Sequence, residues 1–78
     1  METISHTCDL GFAAALLTLG HGLEDDLTDG DDGKKLFGFR ITESKMSRLL
    51  KQFRSNDMQI DAQKYALSIK HVKKMLYS

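Results

Sequence analysis

The spacing of apolar residues changes along this chain, and each change marks a boundary. Between Thr3 and Cys8 the hydroxyl-bearing Thr3, Ser5 and Thr7 alternate with Ile4, His6 and Cys8, the period of a short strand with the second set half-buried. From Leu10 to Leu19 the alternation gives way to a nearly continuous apolar run. Asp9 supplies an N-cap for a helix there, and Gly20 suits the left-handed position just past its end. Such a helix has almost no polar face, so it is expected to be central or covered by a partner. His21 to Leu27 and Lys35 to Ile41 then read as two strands of a β-hairpin, joined by the glycine- and aspartate-rich segment from Thr28 to Gly33. Phe37, Phe39 and Ile41 share the face expected to be dry.

The second half is helical in its periodicity. Thr42 can cap a helix in which Met46, Leu49, Leu50 and Phe53 recur at i, i+3, i+4 and i+7, with Glu43 in the favourable first turn. Ser55, Asn56 and Asp57 break it, and Met58 and Ile60 suggest a very short extended piece. Asp61 then caps a last helix that buries Tyr65, Ile69, Val72 and Leu76 and exposes Lys64, Lys70, His71 and Lys74. The expected architecture is one α+β domain over residues 1–78 in the order β-α-β-β-α-(β)-α. A small antiparallel sheet, the hairpin plus the N-terminal strand, packs with three helices. Its sharper version is a ferredoxin-like split βαβ arrangement with an added C-terminal helix.

Composition narrows the class further. Seventy-eight residues exclude a multi-domain enzyme, and 41% hydrophobic with 28% charged residues and no proline excludes a disordered tail. Cys8 is the single cysteine, so there is no disulfide framework and a reducing compartment is favoured. The apolar run is about half the length that crosses a bilayer, and no Lys or Arg precedes it as in a signal peptide. A cytoplasmic protein without a membrane partner is expected.

Net charge is zero but divided. Residues 1–33 carry eight acids and no Lys or Arg, whereas residues 34–78 carry all eleven Lys and Arg against Glu43, Asp57 and Asp61, so the halves stand at −8 and +8. The halves can neutralise one another across the fold, present a basic face to an anionic partner, or make contacts between subunits.

Candidate chemistry is sparse. The acidic stretch from Glu24 to Gly33 fails the calcium-loop spacing, since Leu27 and Leu36 fall at the third and twelfth positions counted from Asp25. His6, Cys8 and Asp9 cluster, but four zinc ligands are not at hand, and Cys8 reads as a small buried filler beside Asp9 as a cap. His21 is expected to help finish the first helix. No glycine pattern matches a phosphate loop, so no catalytic residue, metal or cofactor is expected. The cations Lys45, Arg48, Lys51 and Arg54 on the second helix and Lys64, Lys70, Lys73 and Lys74 on the third are candidate contacts for a partner or for nucleic acid. So short a chain buries a modest core, so a homodimer is expected, through Phe12, Leu16 and Leu19 of the first helix or through an edge strand.

Several of these landmarks together resemble a known family. Thr7-Cys8-Asp9-Leu10 leading into Ala13-Ala14 and Leu16-Leu17, closed by Leu19-Gly20-His21, is similar to the opening of a family of short bacterial, archaeal and phage-borne proteins classed as a domain of unknown function. Phe37-Gly38-Phe39 falls where that family has a phenylalanine-rich strand, and Ile60-Asp61-Ala62 through Tyr65 to Lys73 resembles its ending. Phe53-Arg54 stands where the family has a Tyr-Trp pair. The resemblance implies a small α+β module, frequent on phages and mobile elements, and implies no activity. The functional expectation is a non-enzymatic interaction or regulatory module that binds an as yet unidentified protein. The alternative is a nucleic-acid-binding accessory protein using the basic faces of the last two helices.

Overall fold

The computed structural model describes residues 3–77. In chain order it contains β1 (Ser5–Thr7), α1 (Leu10–Thr18), β2 (Thr28–Asp29), a single 3-10 turn (Asp31–Gly33), β3 (Lys35–Phe39), α2 (Glu43–Arg54) and α3 (Ala62–Tyr77). The α+β class and the order of elements agree with the sequence pattern. The strands lie in the order β1-β3-β2, with β3 antiparallel to both neighbours. β1 and β2 therefore run parallel on either side of β3 and are linked through α1, which is the split βαβ arrangement. A ferredoxin-like chain would follow α2 with a fourth strand. Here α3 follows instead, and Met58 and Ile60 pass as irregular chain where a short strand was expected. Among the described residues the outer edge of β1 has no strand partner.

The hairpin exists with different bounds. Leu23 bridges Phe39 and Thr28 pairs with Leu36, so five steps along one strand span three along the other. The two extra residues form a bulge at Asp25 and Asp26, both exposed, while Leu23 and Leu27 pack against the core. Strict alternation would have turned Asp25 inward with the two leucines. Burying that unpaired carboxylate costs more than the lost ladder bonds, so the strand expected over His21 to Leu27 is broken and its regular part shifts to Thr28–Asp29.

β1 also faces opposite to expectation. Its register sets Ser5 against Phe39, His6 against Gly38 and Thr7 against Phe37. Small side chains thus fill the inner face beside the two phenyl rings, and the buried Ser5 hydroxyl donates to the Ile41 carbonyl at 2.8 Å. Ile4 and His6 lie over the vacancy left by Gly38 on the outer face. Cys8 is exposed rather than a buried filler.

α1 is central. Asp9 caps it by accepting from the Phe12 amide, and its C-terminus closes with paired backbone bonds, Gly20 N–H to Leu17 C=O and His21 N–H to Leu16 C=O, which require Gly20 at φ +92°. Phe12, Ala13, Ala14, Ala15 and Leu16 are all inaccessible to solvent. This corrects the expectation that Phe12 and Leu16 form a dimer interface, because the chain's own sheet and α3 cover them; Leu19, at 39% exposure, stays at the surface. α3 packs closely on α1 through small groups. The Thr18 hydroxyl lies 2.8 Å from both the Ala14 carbonyl and the buried Ser68 hydroxyl, and Tyr65 donates to the Gly11 carbonyl at 3.1 Å. α2 touches α1 more lightly, chiefly where Phe53 meets Phe12 with ring centroids 5.6 Å apart.

Candidate partner-binding surface

α2 positions the candidate site, because it is the least covered of the long elements. Thr42 caps it through the Lys45 amide, and Asn56, at φ +62°, ends it with the same pair of backbone bonds that closes α1. Of its apolar stripe only Met46 is buried, whereas Leu49, Leu50 and Phe53 are half-buried. Both flanks of the helix are consequently open.

On one flank a cleft of about 630 Å³ lies between the end of α1, α2 and the turn after it. Leu19, Leu49 and Met58 give it an apolar floor, and His21, Lys45, Gln52, Asp57 and Gln59 rim it. Burial holds the His21 imidazole below its ordinary value, and the nearby Lys45 charge lowers it further. Asp57 is engaged by the Ser55 hydroxyl at 2.9 Å. Among the described residues Lys45 makes no ion pair, and Asp57 keeps its negative charge, so the rim carries one full charge of each sign. Leu19 and Lys45, proposed from the sequence for separate roles, are thereby brought together.

On the opposite flank a groove runs between β1 and α2. A part of about 240 Å³ is lined by Ser5, His6, Glu43, Met46, Ser47 and Leu50. It continues over Ser47 and Leu50 into a part of about 380 Å³ bordered by Lys51, Arg54 and Ser55.

The remaining candidates are dispersed. Lys64, Lys70, Lys73 and Lys74 are exposed on α3, which makes little contact with α2, and the cavities holding Lys45, Lys51 and Arg54 contain no α3 residue. Arg48 is exposed on α2. Among the described residues Lys35 and Asp29 form the single ion pair, so only one direct contact joins the two charged halves. No group of three His, Cys, Asp or Glu side chains there could hold a metal ion. Asp9, next to His6 and Cys8 in sequence, is committed to capping α1. Among the described residues no helix is long and apolar enough to cross a membrane. The cleft itself was not legible in the sequence, since Leu19, Leu49 and Met58 come from three segments; the lone signal was Leu19 at the end of an otherwise buried run.

The chain matches no family model, no curated protein and no solved structure.

Proposed function

We propose that this protein is a non-enzymatic interaction module that binds another protein through the cleft between Leu19, Leu49 and Met58. The observation that supports this most is Leu19, a large apolar side chain left 39% exposed at the end of α1 beside two half-buried ones, while Phe12 to Leu16 of that helix are fully buried. Apolar surface in a cleft with Lys45 at one point of its rim and Asp57 at another suits a segment carrying one apolar anchor and a carboxylate that meets Lys45. The partner is therefore a protein segment of that composition, and Lys45 selects its acidic group.

Affinity capture from the native host, run in parallel with the wild-type protein and with the Leu19→Asp/Lys45→Glu double variant, tests this reading. A protein recovered by the wild type and lost by the variant, then bound directly when purified, is expected. Equal recovery by both would overturn the cleft as the binding surface. A gel-shift series across salt concentrations separates the nucleic-acid alternative, in which binding weakens steeply with salt and disappears on Lys70→Glu/Lys74→Glu substitution.

A further inference from the structure

The groove on the other flank of α2 has a pattern that complements itself. Glu43 and Ser47, Ser47 and Leu50 or Lys51, and Leu50 or Lys51 and Arg54 are three or four positions apart, so the five form a single stripe, distinct from the inward-facing Met46, Leu49 and Phe53. An acid stands at one end of the stripe, two bases at the other, and a small serine near its middle. The stripe borders the unpartnered edge of β1 at Ser5 and His6. On β3, the Gly38 carbonyl and the Arg40 amide serve the segment containing Gly22 and Glu24, so alternation leaves Phe37 and Phe39 to serve β1. Their partners on β1 are Thr7 and Ser5, and the peptide groups of His6 point outward. Neither Lys nor Pro guards this edge.

We propose that this flank is a two-fold interface between two copies of the chain. A two-fold axis near Ser47 runs the two α2 helices antiparallel and sets Glu43 of each copy against Lys51 and Arg54 of the other, with Leu50 between them and the β1 edges covered. Among the described residues Glu43, Lys51 and Arg54 form no ion pair, which leaves them available across the interface. Isologous contacts require this kind of reciprocal pattern. The interface is independent of the Leu19 cleft, which uses Lys45, Leu49 and Gln52 on the opposite flank.

Sedimentation velocity across a concentration series tests the proposal on the full chain, with circular dichroism to confirm folding. The wild type is expected to dimerise. Glu43→Lys alone, or Lys51→Glu with Arg54→Glu, is expected to weaken the dimer about tenfold or more by placing like charges opposite one another. Combining all three reversals restores it. As a second measurement that leaves these charges in place, Ser47→Cys in a Cys8→Ser background is expected to cross-link two copies on mild oxidation, whereas Gln63→Cys on α3 in the same background is not. A monomer at every concentration, a dimer indifferent to the reversals, a triple variant as weak as the partial ones, or equal cross-linking at both positions would overturn it.

Discussion

His21 contributes to this protein through two different groups. Its amide closes α1 on the Leu16 carbonyl at 3.1 Å, while its imidazole sits in the cleft under the influence of burial and of Lys45. Because the folded state holds the imidazole below its ordinary value of 6.5, the unfolded chain binds more protons as the pH falls past that point. Stability is therefore full above 6.5 and declines as the pH drops toward the lowered value. Urea titrations between pH about 7 and 5, above the range where carboxylates dominate, are expected to show this decline and to lose part of it in His21→Gln. In an NMR titration Lys45→Gln raises the His21 value part of the way, since burial, the larger cause, remains. That His21 follows a helix was legible from Gly20 before it. Its closeness to Lys45, 24 positions on, was not.

Element boundaries divide by how local their causes are. Asp9, Thr42 and Asp61 each accept a backbone N–H three residues ahead, so all three caps could be read from short stretches of sequence. The C-termini of α1 and α2 rest on single left-handed residues, Gly20 and Asn56. Gly20→Ala is expected to cost about 1 to 2 kcal/mol although its surroundings are open, because the strain lies in the backbone. Asn56→Ala should lose about 1 kcal/mol while Asn56→Gly loses none, as read from urea midpoints. Strand boundaries and facing had no comparable local cause. The alternation from Thr3 to Cys8 announced a strand correctly, but which set turned inward was decided by pairing with Phe37 and Phe39, 30 and 34 residues from their partners Thr7 and Ser5. The carboxylates at Asp25 and Asp26 likewise acquire a preferred side only once Leu23 and Leu27 are both drawn to the core.

Across the whole molecule, one apolar helix organises everything else. Phe12, Leu16, Phe37, Phe39 and Val72 are its largest fully buried side chains, contributed by α1, β3 and α3. Leu16→Ala is expected to destabilise by about 2 to 5 kcal/mol, a large part of what a chain of this size possesses, and to leave it substantially unfolded at 37 °C in thermal melts followed by circular dichroism. The sequence by itself determined that α1 must be shielded from water, because ten nearly continuous apolar positions leave no face for it. It also determined the helix caps, the dry face of β3 and the α+β class, all of which depend on periodicity or on neighbours a few residues apart. Tertiary structure alone decided that the chain shields α1 with its own sheet and α3, and that Leu19, Leu49 and Met58 share a cleft. It also set the register that turned Ser5 inward and left an edge of β1 free beside α2. Those outcomes depend on contacts between distant segments, whose energies are settled only when the pieces pack against one another.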